Sequence, residues 1–566
     1  MFNDEDHRNE LRKQLISIVG RRFVITEEKK MKPFTQGWRL GGGPAAAVVR
    51  PATLLEMWNV LKLCVEEDLA ILVQATNTGL TGGSTPNGFD YDRPIVIINT
   101  LRLDNIQLID DSKQFIAFAG ATLFQLEDIL YEEGREPHSV LGSSCIGASI
   151  VGGVCNNSGG ALLQRGPAYT ELALYAKINT EGILELVNEL EVDLGDSPEE
   201  ILQTLQNKRY TKQQVRATDK LASDRTYKKT VREVDAKTPS RFNHDPSRLY
   251  GASGCAGKIA VFAVRIDSYK RPENKRVFYV GVNDTQLLET MRREILGNFR
   301  QLPVSGEYVH RRVYDVTKKY GKDNFFIINT VGSKHIQKLF NLKTLLDRWA
   351  AKIDFLPTNF SDKLMQKISR VLPNQIPSSL EKYREEYEHH WILEMSDEGI
   401  DEARDYLISF FKNHDGGFIE CSEKEGDRAM LLRFLAAGAI SRYHICEEEK
   451  LGDMISIDVA LRRNEWEWFK NSIDDDVSVV DKFCYGHFFC HVLHQNYILK
   501  KGVDARAVKK VILDELVARG AEYPAEHNVG HEYRARDALH QHYLDLDPTN
   551  TFNPGIGQTS KNKNWT

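Results

Sequence analysis

The sequence predicts an α+β fold of more than one domain, and three observations carry that prediction. The N-terminal part alternates short apolar runs with amphipathic helical stretches, in the order strand, helix, strand, loop, strand. Two glycine-rich stretches, Gln74–Gly88 and Val140–Gly160, are separated by a further strand–helix unit. With 566 residues, 41% hydrophobic and 27% charged, the chain can build two or three substantial cores.

Taken in order, Glu10 to Gly20 forms the first expected helix, with Leu11, Leu15, Ile16 and Val19 on one face. A β-like run from Ala45 to Arg50 stops at Pro51. An amphipathic helix follows from Thr53 to Leu69, through Leu54, Leu55, Trp58, Leu61 and Val65. The strand Ile71–Val73 leads into QATNTGLTGGSTPNG, and the strand Ile95–Ile98 follows. Small side chains let a ligand approach this loop's backbone, and Gly79, Gly82, Gly83 and Gly88 can adopt positive φ. Successive N–H groups in such a loop form an anion-binding concavity, so a pyrophosphate cradle is expected, with an ordinary surface loop as the competing reading. The spacing is neither GxGxxG nor GxxxxGK[ST].

From Phe115 a strand, Gly120-Ala121-Thr122 and a helix through Leu126 and Leu130 precede VLGSSCIGASIVGGVCNNSGG. Two such loops can clamp a dinucleotide from both sides of its pyrophosphate. A third stretch, Gly251 to Gly257, leads into the strand Ile259–Ile266 and is expected to wall the same site.

Composition narrows the function. The net charge of −6 argues against a nucleic-acid binder. Eight scattered cysteines without a CxxC pair fit reduced thiols. The first twenty residues lack the basic-then-apolar order of a signal peptide, and no run of eighteen apolar residues is present. Lys318–Arg370 is the exception to the acidic balance: it carries +7, which leaves −13 for the rest. Within it Ile336, Leu339, Phe340, Leu342, Leu345, Leu346 and Trp349 follow a helical stripe interspersed with Lys338, Lys343 and Arg348. That mix suits a helix in the headgroup region; a solvated face packed on the core is the alternative. Late in the chain, His487, His491 and His494 cluster in what reads as one strand or extended segment, and Glu526-His527 precedes His531. Neutral imidazole is a common metal ligand and general base, and HExxH is absent.

The loops resemble the FAD-binding domain of the vanillyl-alcohol oxidase/p-cresol methylhydroxylase (PCMH-type) family. More narrowly, Arg135–Ser149, Cys155–Gly160, Gln164–Glu171, Tyr523–His531 and Asp547–Gly557 resemble the bacterial respiratory, quinone-dependent D-lactate dehydrogenases. The resemblance implies a PCMH-type FAD-binding domain of two α+β subdomains (1–267, completed by 519–566). It also implies an α+β cap or substrate domain (268–310, 387–424 and 449–518) and a small basic membrane-binding region (311–386 and 425–448). It assigns non-covalent FAD to Ala75, Thr76, Asn77, Thr78, Gly79, Gly83, Ser84, Gly142, Ser149, Gly159 and Val261. Related 2-hydroxy-acid dehydrogenases imply His487, His494 and Glu526 as ligands of a divalent metal such as Zn, and His527 as catalytic base. This chain has Cys490 and Val492 where those relatives carry Asp and Asn. An arginine fork would hold the substrate carboxylate, with Arg384 the first candidate and Arg311 the second. The alternative for either is a surface ion pair or, for Arg311, a lipid-facing charge.

The implied activity is oxidation of D-lactate to pyruvate with electrons passed to a membrane quinone. The implied setting is a peripheral attachment to anionic lipid through Lys318–Arg370, on the cytoplasmic face of the bacterial inner membrane. Oxidation of another 2-hydroxy acid, glycolate or 2-hydroxyglutarate, is the nearest alternative. A flavin-binding membrane-surface adaptor without catalysis is the alternative from another class.

Overall fold

The computed structural model describes residues 5–139, 147–331 and 360–566. Gly142 and the apolar stripe 336–349 lie outside the described residues. The chain forms the expected α+β architecture, built on three principal sheets.

The first sheet holds β1 (Val24–Ile25), β2 (Ala47–Val49), β3 (Ala70–Gln74) and β4 (Ile95–Asn99), in the order β1-β2-β4-β3. β2, β4 and β3 run parallel, as continuous apolar runs buried on both faces should. Helix α1 (Glu5–Val19) and helix α2 (Leu54–Glu66) cover one face. The Thr53 hydroxyl accepts the Glu56 N–H and caps α2, which sets its start one residue inside the expected span.

The second sheet contains β5 (Ile106–Ile109), β6 (Gln114–Phe118), β7 (Ala173–Ile178), β8 (Leu184–Asn188) and β9 (Ala260–Asp267), all antiparallel, in the order β5-β6-β9-β7-β8. Helix α3 (Leu123–Glu132) starts at a Thr122/Gln125 capping box. The short helix α4 (Ile150–Cys155) packs Ile150, Val151 and Val154 against this sheet.

The third sheet has seven antiparallel strands: β10 (Lys275–Val282), β11 (Ser305–His310), β12 (His389–Ser396), β13 (Gly417–Glu420), β14 (Met454–Ala460), β15 (Val479–His487) and β16 (Val492–Leu499). Their spatial order is β13-β10-β12-β11-β15-β16-β14. One face buries Phe278, Val280, Trp391 and Leu393 against Met291 and Ile295 of helix α5 (Thr285–Asn298). On the other face, Tyr279, Ile392 and Tyr485 pack with helices α6 (Arg311–Tyr320), α7 (Lys322–Val331), α9 (Ser378–Glu386) and α10 (Glu423–Cys446), while helix α8 (Phe360–Ser369) lies against α7 and α10. Helix α11 (Ala505–Ala518) then leads to the returning C-terminal segment, where Phe552 bridges back to Ile71. No described helix is long and apolar enough to cross a membrane.

The histidine segment is not one strand. Phe488–Cys490 form a 3-10 turn and His491 adopts φ 52°, so β15 and β16 make a hairpin. Behind it, Arg292 clamps Glu289 through both carboxylate oxygens at 2.8 and 2.9 Å and donates to the Phe489 carbonyl at 3.0 Å. His491 Nε2 lies 2.8 Å from the same Glu289. All three side chains are fully buried, which makes His491 part of the hairpin's internal support.

Candidate functional site

One cavity of about 1180 Å³ runs between the first two sheets and the third. This exceeds the roughly 300–1,000 Å³ of most small-molecule and cofactor sites. Ala75 to Gly79, Gly83, Ser84, Ser149, Gly159 and Val261 all line it, and Ala256 and Gly257 supply the third expected wall.

In the first loop positive φ falls on Asn77 (53°), Gly82 (75°) and Gly88 (85°), not on Gly79 or Gly83 as the sequence suggested. Asn77 is held there because its amide donates to the Gln36 carbonyl at 2.8 Å and its oxygen accepts the Ser84 hydroxyl at 3.0 Å. Gly79 faces open space where a Cβ would stand. At Gly83 a Cβ would fall 2.8 Å from Asn528 Nδ2, and at Gly159 it would fall 2.7 Å from Glu526 Oε1. Bare backbone, space and the buried Asn553 Oδ1 in the wall, which has no hydrogen-bond partner among the described residues, all fit a bound dinucleotide. Both loops also touch the segment that carries Glu526, His527 and Asn528.

The hairpin places the histidines at the other end. His487 pairs across strands with Glu307 and with Val492, while His494 pairs with Tyr485 and with Asp458. The period-two alternation puts Glu307, Tyr485, His487, His494 and Asp458 on one sheet face, under α10. The seven-residue spacing thus becomes a diagonal pair across a hairpin, with ring centroids 5.6 Å apart. The returning segment drops Glu526 between the rings: its Oε2 is 3.1 Å from His487 Nε2 and 3.8 Å from His494 Nε2. Each histidine offers its other nitrogen to a carboxylate, His487 Nδ1 to Glu307 at 2.6 Å and His494 Nδ1 to Asp458 at 3.3 Å. One donor atom each from His487, His494 and Glu526 falls within 4.8 Å of the other two. Carboxylate-backed imidazoles converging on a third oxygen donor are what a divalent cation requires. Arg241 also binds Glu526, through Oε1.

The charges of this cluster are strongly coupled. Burial alone would lower the His487 pKa, but Glu307 and Glu526 outweigh it and hold the imidazole at about 10. Glu526 sits well below the usual carboxylate range, because His487 and Arg241 overcome its burial. Asp458 is likewise depressed against burial, by His527 and His494. His527 lines the cavity with its side chain 36% exposed, its Nε2 3.9 Å from Asp458 Oδ2.

Neither arginine singled out from the sequence reaches the cavity. Arg384 makes a two-pronged bond to Asp315 at 2.6 and 2.8 Å between α9 and α6, and Arg311 pairs with Glu388 at 2.7 Å. Of the described arginines that line the cavity, Arg39, Arg433, Arg442 and Arg506, it is Arg433 of α10 that is ion-paired within the histidine cluster. Its Nε lies 2.8 Å from Glu307 Oε2, and its guanidinium stands 4.7 Å from the Tyr485 ring centre. The signal for it was present: in AMLLRFLAAGAI (Ala429–Ile440) Arg433 is the one charge. Glu307, Asp458 and Arg241 had no local mark, since each becomes part of the cluster only through strand pairing or a distant loop. His531 is structural, its Nε2 lying 2.9 Å from the Thr85 carbonyl oxygen.

Residues 277–565 match the family described as "D-lactate dehydrogenase, membrane binding", and residues 45–174 match the FAD binding domain family. A quinone-dependent D-lactate dehydrogenase of Haemophilus influenzae is 52% identical over 554 residues, covering 98% of each chain. The Escherichia coli K12 protein of the same name is 50% identical, over 98% of this chain and 97% of its own. Among solved structures, p-cresol methylhydroxylase with substrate bound superposes with a TM-score of 0.57 at 13% identity over 98% of both chains. An alkyldihydroxyacetonephosphate synthase gives 0.58 at 10% identity, over 96% of this chain and 84% of that one. These two likenesses establish the fold.

Proposed function

Because the chain belongs to the family of quinone-dependent D-lactate dehydrogenases, we propose that the histidine end of its cavity is where D-lactate is bound and deprotonated. As a member, it is an FAD-dependent oxidoreductase that oxidises D-lactate and delivers the electrons to a quinone, and it is a peripheral membrane protein. The observation that carries the assignment of residues is the convergence of both glycine-rich loops and Glu526-His527 on one cavity.

FAD, when bound, supplies the acceptor for the hydride that leaves C2 of lactate. The imidazole of His527 takes the hydroxyl proton, and Asp458 stabilises the resulting cation. Arg433, anchored at Nε by Glu307, presents the rest of its fork to the lactate carboxylate. A divalent metal would be held by His487, His494 and Glu526, where it would polarise the hydroxyl and orient the carboxylate. The purified protein is then expected to retain about one divalent ion per chain by elemental mass spectrometry, and His494→Asn to lose it. Full activity in metal-free wild type would remove the ion from this account.

The loops 74–88 and 140–160 are taken to belong to a flavin domain of 1–267 with 519–566, and the seven-stranded sheet to the cap. The region 311–386 with 425–448 is assigned to the membrane, on anionic lipid at the cytoplasmic face of the bacterial inner membrane. Support comes from the +7 of Lys318–Arg370 and from α8, where Leu364 and Ile368 are exposed beside Lys363 and Lys367. Each basic residue near an anionic leaflet contributes roughly 1 kcal/mol. Lys318 and Lys363 are already paired with Glu381 and Glu448, so the attraction is weaker than the count implies. Flotation with anionic vesicles should be strong at low salt and fall at high salt. Equal partitioning into neutral vesicles would exclude the electrostatic attachment.

A further inference from the structure

The cavity does not end at the histidines. Beyond Arg433 it continues as a limb between α7, α8 and α10, lined by Ile327, Ile328, Leu364, Met365, Met430 and Phe434. One face of α10 forms its long wall, with Arg433 near the substrate end and Arg442 nine residues further on. At 1.5 Å per residue these two arginines are about 13 Å apart along the helix. Between them Phe434 and Leu435 give way to Ala437, Gly438 and Ser441; Ala437 and Gly438 are exposed, so this stretch of the limb opens along almost bare helix, and a Cβ at Gly438 would meet nothing within 4 Å. At the surface the limb passes Leu364, which is 37% exposed and lies on α8 one turn before the equally apolar Ile368, 43% exposed.

The polar fittings of this limb are few and specific. Arg442 is buried, ion-paired with Asp323 and, through Nε at 3.3 Å, with Asp362, and donates to the Tyr320 carbonyl at 3.0 Å. Asp323 is 1% exposed, and its Oδ2 makes no hydrogen bond among the described residues, although Asp323 lines the cavity. A buried carboxylate oxygen without a donor is costly unless a ligand supplies one.

We propose that this limb is the site of the quinone, with the ring held against the bare helix at Gly438, beside Arg442 and Asp323, and the apolar tail leaving past Leu364 toward the lipid. The inference rests on the quinone-dependent reading and deepens it. The chemistry of the walls fits both redox forms of such a ligand. A quinone carbonyl is an acceptor suited to the Arg442 guanidinium, and a quinol hydroxyl is a donor suited to Asp323 Oδ2. Met365 and Met430 present polarizable sulfur to a flat ring, and methionine fills irregular apolar space readily. A tail emerging beside exposed Leu364 and Ile368 needs no crossing of the bilayer by the protein. The same apolar channel would accept a lipid acyl chain, but a lipid would not couple the limb to electron transfer.

The test separates the two half-reactions. Gly438→Leu puts a side chain into the open space over the bare helix without removing a contact and raises helix propensity; Ile327→Trp narrows the limb from the opposite helix. In stopped flow, D-lactate bleaches the bound flavin, and a short-chain benzoquinone then restores its colour. In each variant we expect recolouring to slow at least tenfold more than bleaching does. Recolouring and bleaching slowed equally, or neither slowed, in both variants would overturn the proposal and leave the limb to lipid. If the wild type itself does not bleach, the D-lactate reading fails instead. The limb is then judged by the rise in Tm that the benzoquinone alone produces, which should be present in wild type and lost in Gly438→Leu. Its persistence in both variants would overturn the proposal.

Discussion

Replacing His527 by alanine is expected to lower kcat for D-lactate oxidation by about 10²–10⁴, the range spanned by a positioned general base. The expectation is that FAD stays bound, because the loops that line the cofactor end of the cavity do not depend on this side chain. His527 is partly exposed and its only described ion partner is Asp458 at 3.9 Å, so its loss removes no buried support. Stability and flavin content should therefore match wild type, while KM changes little. Near-normal turnover in His527→Ala would transfer the base role elsewhere in the cluster.

The second large effect is expected at Arg433. A carboxylate held by a guanidinium fork gains charge-assisted hydrogen bonds worth about 1.5–3 kcal/mol each. Losing two such bonds in Arg433→Met should lower kcat/KM by roughly 100-fold or more, at 1.4 kcal/mol per tenfold. The loss should fall mainly on KM, in contrast to His527→Ala, where it falls on kcat. Glu307 keeps His487 as a partner at 2.6 Å, so the variant does not leave a lone buried carboxylate. Arg433→Lys should recover part of the charge and little of the geometry. Unchanged kcat/KM in Arg433→Met would return the carboxylate to another cation in the cavity.

The flavin end of this molecule was legible because its information is local. Runs such as Ala70–Gln74 and Ile95–Asn99 are apolar throughout and become buried parallel strands, and the loops between them announce themselves by glycine, threonine and asparagine. Even there, the roles of individual glycines were not legible. Gly83 and Gly159 serve close approach to Asn528 and Glu526, contacts made across more than 300 residues of chain. The histidine end of the cavity was legible only in its residue types. Nothing between Tyr485 and Gln495 resembles a hairpin turn; a histidine takes the left-handed position that glycine or asparagine usually occupies. Without the hairpin, the spacing of His487 and His494 cannot be related to Glu307 or Asp458, which arrive from other strands. Arg384 was singled out because an arginine fork suits a carboxylate, yet the carboxylate it binds is Asp315 on a neighbouring helix. Arg433 was overlooked inside an apolar helix, where a lone charge is costly unless a partner waits; Glu307 is that partner.

In the proposed assignment, loops 74–88 and 140–160 hold the cofactor while the third sheet and Glu526-His527 perform the chemistry on lactate. The most direct measurement is anaerobic bleaching of the bound flavin by D-lactate, without any acceptor, in wild type and His527→Ala side by side. Flavin content and spectra should be equal before mixing, with prompt bleaching in wild type and bleaching at least 100-fold slower in the variant. Bleaching at the same rate in both would contradict the assignment.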